Sequence, residues 1–248
     1  MSSSTDFLLA LEGITVSFDG FKAVNELNLY IDKGELRVII GPNGAGKTTV
    51  LDLICGRTML SSGSIKFKDQ EISGLKEHDI VKRGIGRKFQ TPSIYEDLTV
   101  FENLEISFPR GRDVVGALFW NRTPEIIARV QEIAETIFLA DHLDRLAETL
   151  SHGQKQWLEI GMLLMQDPEL LMLDEPVAGM SDEETEKTAE LFLSLAGRHS
   201  LVVVEHDIAF IEKIARKVTV LHEGSVIAEG PMDQVQNDPR VIEVYLGR

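Results

Sequence analysis

The chain has 248 residues, 43% of them hydrophobic and 26% charged, which suits one large globular domain or a core with an inserted subdomain. A formal net charge of −15 disfavours a nucleic-acid surface and unassisted adhesion to anionic lipid. It still admits an anionic nucleotide, because exposed charges are screened beyond about 8 Å at physiological salt. No apolar run approaches the roughly 18 residues that cross a bilayer, and "MSSSTDFLLALEG" lacks a basic leader, so a cytoplasmic protein is expected. The single cysteine, Cys55 in "VLDLICG", excludes an internal disulfide framework and reads as a small buried hydrophobe.

In chain order, "FLLALEGITVSF" and "LNLYI" alternate as half-buried strands do. "ELRVIIG" is a short apolar run ending in glycine, as expected of a strand buried on both faces. "GSIKFKDQEI" alternates again after Gly63. From about 91 to 165 the pattern turns helical. Thr123 and Pro124 form an N-cap and first-turn pair. Ile126, Ile127, Val130, Ile133, Ala134 and Ile137 follow at helical spacing. "KQWLEIGMLLMQ" is apolar on most sides, which predicts a largely buried helix ended by Asp167-Pro168. The last block alternates strand and helix. "ELLMLDE" and "SLVVVEH" are buried strands, and Ser181 and Glu184 stand at capping-box spacing before the helix "DEETEKTAELFLSLAG". A further helix, a hairpin in "KVTVLHEGSVIAEG" and a short C-terminal helix complete the chain. This alternation predicts an α/β fold with a parallel sheet.

"GPNGAGKTT" fits the phosphate-loop pattern G-x-x-x-x-G-K-[ST] between an apolar strand and a helix. Gly41, Gly44 and Gly46 let the backbone turn its N–H groups toward phosphate oxygens, with Pro42, Asn43 and Ala45 between them. Lys47 reaches the β and γ phosphates, and Thr48 offers a hydroxyl to Mg²⁺. Thr49 follows in the first helical turn, whose positive end faces the site. "LLMLDE" delivers Asp174, suited to a Mg²⁺ ligand, and Glu175, suited to a base acting on water, to a strand end. Gln90 ends "GIGRKFQ" and can touch the metal or the water; His206 ends "LVVVEH" and can reach the γ-phosphate. Ser151-His152-Gly153-Gln154 opens a helix and makes a second natural anion site. The residues together read as ATP binding and hydrolysis.

With these residues in order, the chain resembles the nucleotide-binding subunit of an ATP-binding cassette (ABC) transporter over essentially its whole length. The match rests on Walker A at 41–48, the Q-loop at Gln90, the signature "LSHGQ" at 150–154, Walker B at 170–175 and a switch histidine at 206. The resemblance implies a P-loop NTPase with a RecA-like parallel-sheet core, an N-terminal antiparallel β subdomain and an inserted helical subdomain. The ATP-binding core would comprise 1–90 and 166–248, and the helical signature subdomain 91–165. It also implies ATP and Mg²⁺ as cofactors and head-to-tail pairing with a second cassette, either the same chain or a paralogue. Ser151, the Gly153 amide and Gln154 of one chain would then complete the shell of the γ-phosphate bound to the other. A donor supplied in trans can contribute on the order of 10³–10⁵ in rate. The aromatic that stacks on adenine is matched best by Phe18, with Phe21 second.

The implied partners are two transmembrane permease subunits and, indirectly, a periplasmic or extracellular solute-binding protein, with no nucleic acid. That would place the chain on the inner face of the plasma membrane. Apolar residues in "TPSIYEDLTVFENL", around Tyr95, Val100 and Phe101, are the expected docking surface. The family pattern is broken where His152 replaces glycine, where Trp157 and Met162 replace arginines, and where Ser181 replaces the D-loop aspartate, with Asp182 as a weak substitute. "GRKFQTPSIYEDLTVFENLEI" and "DPRVIEVYLGR" resemble importers of branched-chain amino acids and urea, and residues 150–185 most resemble the urea-uptake ATPase. Branched-chain amino acid import is the alternative. A soluble cassette of translation or DNA repair would carry fused cassettes, a long coiled coil or basic surfaces, which this sequence lacks.

Overall fold

The computed structural model describes residues 7–88, 93–109 and 122–246. The chain opens with β1 (Leu9–Phe18), β2 (Phe21–Ile31), β3 (Leu36–Ile40), α1 (Lys47–Ile54), β4 (Ser62–Phe67) and β5 (Gln70–Glu71). Next come α2 (Glu77–Lys82), β6 (Ile85–Lys88), α3 (Val100–Ile106), α4 (Pro124–Thr136) and α5 (His152–Leu164). It closes with β7 (Leu170–Asp174), α6 (Asp182–Leu195), β8 (Ser200–Val204), α7 (Ile208–Ile214), β9 (Lys217–His222), β10 (Ser225–Gly230), α8 (Met232–Val235) and α9 (Pro239–Leu246). Two compact units divide it: Met1–Arg87, Glu169–Glu175 and Phe192–Arg248 form the first, Lys88–Pro168 and Pro176–Leu191 the second.

The first unit holds a four-stranded antiparallel sheet in the order β2-β1-β4-β5 and a six-stranded sheet in the order β10-β9-β3-β8-β7-β6. In the larger sheet β9, β3, β8 and β7 run parallel, and β10 returns antiparallel to β9. Every residue of β3, β7 and β8 is buried, as mainly apolar strands are when a sheet is covered on both faces; the exceptions, Arg37, Asp174 and Ser200, are buried with them. Both sheets and α1 share one continuous apolar core. Cys55 lies in it, and burial pushes its thiol up to about 11, so it stays protonated and unreactive at neutral pH.

The hairpins β1–β2, β4–β5 and β9–β10 turn on Asp19-Gly20, Lys68-Asp69 and Glu223-Gly224, each pair at positive φ. Tight two-residue turns need that conformation to match the strand twist. At the first turn Phe18 pairs with Phe21, so both aromatics ride at the tip.

In the second unit Thr123 accepts the Ile126 N–H and Pro124 opens α4, as its sequence predicts. Ile126, Val130, Ile133 and Ala134 face inward, whereas Ile127, one step off that stripe, is exposed. α5 is buried along most of its length and packs on α3 and α4. Gly161 permits this approach: a Cβ there would stand 2.5 Å from Ile137 Cδ1 and 3.0 Å from Leu104 Cδ2. Trp157 of α5 donates its indole N–H to Thr188 at 2.9 Å and sets its ring edge-on to Phe138.

The expected docking patch is altered by this packing. Tyr95 is exposed, but Val100 is fully buried and Phe101 is half-buried under the Arg122 guanidinium, 4.5 Å from its ring centre. Val100 follows the N-cap Thr99 and faces inward with Leu104, which the sequence run alone does not distinguish. Among the described residues no helix is long and apolar enough to cross a membrane. Gly161→Leu is expected to lower unfolding free energy by about 1–3 kcal/mol in urea denaturation, through overpacking at the α3–α4–α5 junction. Unchanged stability would contradict that close approach.

Candidate active site

Three neighbouring strands end level with one another. Ile39 of β3 pairs with Val204 of β8, and Val204 pairs with Asp174 of β7. This register brings Gly41–Thr49, Asp174–Glu175 and Glu205–His206 to one carboxyl edge of the sheet, where open α/β sheets take ligands.

The loop after β3 is pressed against neighbouring backbone. A Cβ on Gly41 would meet the Leu221 carbonyl oxygen at 2.3 Å, and one on Gly46, at φ 99°, the Ala23 oxygen at 2.6 Å. Asn43 and Gly44 are exposed, while Ala45 is buried and Pro42 and Thr49 are half-buried. Gly46 is the N-cap of α1, which has no side-chain cap and no acidic residue in its first turn. The N–H groups and positive dipole end of that turn are therefore left for an anion. Lys47 folds back and donates its ammonium protons to the Gly41 and Pro42 carbonyls at 2.7 and 3.1 Å. Burial lowers its pKa, opposed by Glu175 and Asp174.

Asp174 is 2% exposed. Its Oδ2 lies 3.5 Å from Arg87, which also grips Asp52 at 2.6 Å. Its Oδ1 is buried with no hydrogen-bond partner among the described residues. Burial raises the carboxyl pKa, Arg87 and the Thr48 hydroxyl pull it down, and Glu175 pushes it further up. An orphaned buried carboxylate oxygen beside a threonine hydroxyl suits a divalent cation. Among the described residues no group of three or more His, Cys, Asp or Glu stands together as a metal site.

Glu175 sits at φ 47°, a left-handed conformation costing a non-glycine residue about 1–3 kcal/mol. Its N–H donates to the Val204 carbonyl at 2.9 Å, which fixes the bend. Its Oε1 lies 3.7 Å from His206 Nδ1. Glu205, 1% exposed, accepts the N–H groups of His206 and Asp207 at 2.9 and 3.3 Å, and so turns His206 outward. Glu205 is a positioning residue that the sequence pattern did not single out. Tyr245 of α9, which the sequence pattern also did not single out, stands beside the Gly41 backbone and is 47% exposed. Phe18 is 50% exposed and Phe21 67%, so neither ring is spent on the core. Gln90 lies outside the described residues.

The second unit carries the signature. Ser151 Oγ accepts the Gln154 N–H at 3.1 Å while Gln154 Oε1 accepts the Ser151 N–H at 3.0 Å, a capping box at the start of α5. Gln154 is thus engaged in holding the turn. His152 Nε2 lies 3.1 Å from the Ala178 oxygen in the D-loop. Further along α5, Glu159 accepts the Ser93 N–H at 3.1 Å and stands 3.7 Å from the fully buried Lys88. Burial raises its pKa and Lys88 opposes the rise.

A phosphate loop beside an acidic strand end, with His206 next to Glu175, has the make-up of a nucleotide site. Comparison with known proteins places it. Residues 24–178 match the ABC transporter family, and residues 225–248 match the branched-chain amino acid ATP-binding cassette transporter family. The high-affinity branched-chain amino acid transport ATP-binding protein LivG of Escherichia coli K12 is 35% identical, over 97% of this chain and 98% of its own length. A probable LivG of Archaeoglobus fulgidus is 36% identical, over 97% and 95%. The ADP conformation of an ATP-binding cassette of an ABC transporter superposes with a TM-score of 0.86 at 31% identity, covering 98% of this chain and all of its own. The chain belongs to the ABC transporter family. It is an ATP-binding subunit of the branched-chain amino acid group, an ATPase that powers import.

Asp174→Asn is expected to raise the melting temperature of the nucleotide-free protein at pH 8 while abolishing ATP turnover. The folded carboxyl pKa is raised, so the wild-type charge is a burden that grows as pH rises through that value. The gain should therefore shrink toward pH 4. A constant or inverted difference in melting scans would contradict burial as its cause.

Proposed function

We propose that the chain holds ATP with Mg²⁺ on its own phosphate loop, and that the signature segment of a second cassette closes over the γ-phosphate. The observation that carries this reading is the level ending of β3, β8 and β7. It gathers Lys47, Thr48, Asp174, Glu175 and His206 around a helix N-terminus with no side-chain cap. Lys47 would exchange its loop carbonyls for phosphate oxygens. Thr48 and Asp174 would hold the cation, with Gln90 as a further contact; the cation neutralises phosphate charge. Glu175 would take a proton from water as its oxygen attacks the γ-phosphorus and the bond to the β–γ bridging oxygen breaks. His206, beside Glu175, would meet the γ-phosphate. Phe18, exposed at the hairpin tip, would stack on adenine.

The loop alone covers one side of the phosphate. Ser151 and the Gly153 amide, at the start of α5, supply the chemistry for the other side. Pairing that ATP drives and hydrolysis releases would move permease subunits, with a solute-binding protein delivering the cargo, at the inner face of the membrane. We assign 91–165 as the signature-bearing subdomain. For the solute, the relatives named above favour a branched-chain amino acid. Urea rests only on the resemblance of residues 150–185, and uptake of labelled leucine against labelled urea by the assembled transporter separates the two.

Glu175→Gln should leave ATP binding intact, slow turnover by roughly 10²-fold or more and accumulate an ATP-dependent dimer on size exclusion. A protein that stays monomeric with saturating ATP would contradict pairing around nucleotide.

A further inference from the structure

Glu184 stands in the first turn of α6, and its two carboxylate oxygens serve two different helices. Oε2 accepts the N–H and the hydroxyl of Ser181, both at 3.0 Å, which closes the cap of α6. Oε1 accepts the hydroxyl proton of Ser151 at 2.6 Å, 33 residues earlier at the start of α5. The carboxylate also lies flush against Gly153, where a Cβ would fall 2.4 Å from Glu184 Cδ. His152 ties the same two segments through the Ala178 carbonyl. Two of the four residues that break the resembled pattern, His152 and Ser181, thus serve one junction.

The consequence follows from proton counting. A serine hydroxyl has one proton to donate, and here Glu184 holds it. Phosphate arriving from a partner would need that proton, and would bring its own negative charge to the place of a carboxylate. Two anions a few ångströms apart repel strongly where water is excluded. The Ser151 hydrogen bond is the largest influence holding the Glu184 carboxyl below the ordinary range, against burial, so the group is an anion at neutral pH.

We propose that Glu184 is an autoinhibitory placeholder: its carboxylate occupies the Ser151 hydroxyl of the signature in the unpaired chain and must be exchanged for the partner's γ-phosphate when two cassettes close. The inference rests on the head-to-tail reading above. Glu184 then opposes pairing, and it offers Ser151 a ready acceptor once phosphate leaves.

The test uses the full chain carrying Glu175→Gln, with ATP and Mg²⁺, and measures the dimer dissociation constant by sedimentation. Adding Glu184→Gln removes the charge but keeps the shape, and should tighten the dimer about tenfold or more. Glu184→Asp keeps the charge and a shorter cap on Ser181 while withdrawing from Ser151, and should tighten it less. Adding Ser151→Ala should shrink the effect of residue 184 several-fold, because the donor in dispute is gone and only the charge repulsion remains. An equal or weaker dimer in Glu184→Gln, with an unchanged melting temperature, overturns the placeholder. If Glu184→Gln does not fold, an unchanged or weaker Glu184→Asp dimer overturns it instead. A Glu175→Gln parent that never pairs with ATP sinks the head-to-tail reading and this inference with it, whereas a pairing parent indifferent to residue 184 sinks this inference alone.

Discussion

The site depends on backbone register. Because β8 pairs with β3 on one side and β7 on the other, Ile39, Val204 and Asp174 lie level, and whatever follows each strand emerges at one edge. Slipping any one strand would carry its loop away from the other two and turn its side chains to the opposite face. All three strands are buried along their whole length, and the fully buried Arg37 of β3, which donates to Thr219 and Glu229, would lose those partners if the strand slid. Catalytic placement is here a by-product of the most ordinary interaction in the fold.

On that frame the chain keeps groups that folding alone would not favour. Asp174 is buried with an oxygen that finds no hydrogen-bond partner among the described residues, Glu175 bends into a left-handed conformation, and α1 begins with no side-chain cap. The first and the last are unfavourable features that a bound cation or phosphate would relieve, and the bend directs the Glu175 side chain to the same strand edge. Their coincidence at one strand edge is what separates this site from a glycine-rich turn. The second unit shows the opposite treatment of a helix start. α5 is capped by its own Ser151 and Gln154 and then faced by the Glu184 carboxylate.

Much of this was legible in the sequence because it is local. Buried parallel strands announce themselves as unbroken apolar runs, the Ser181–Glu184 and Thr123 caps by spacing, and the phosphate loop by its glycines. What the sequence concealed depends on distance along the chain. Strict alternation through Ile14 and Val16 would turn Phe18 inward, but β1 shifts register between Val16 and Ser17, and the ring emerges at the hairpin tip. Val100 and Phe101 look like a surface patch until helix packing buries the first and Arg122 covers the second. Arg87 beside Asp174, Lys88 beside Glu159 and Glu184 on Ser151 join segments that no periodicity links.

The central claim is that a complete catalytic cavity takes its phosphate loop from one chain and its signature from another. Tandem-linked dimers test it through ATP turnover. With Lys47→Ala in one protomer and Ser151→Arg in the other, shared sites leave one cavity whole, and turnover should persist. With both changes in one protomer beside a wild-type one, each shared site loses a component and turnover should vanish. Turnover in the second arrangement and none in the first would show that each chain builds its cavity alone, and would contradict the account.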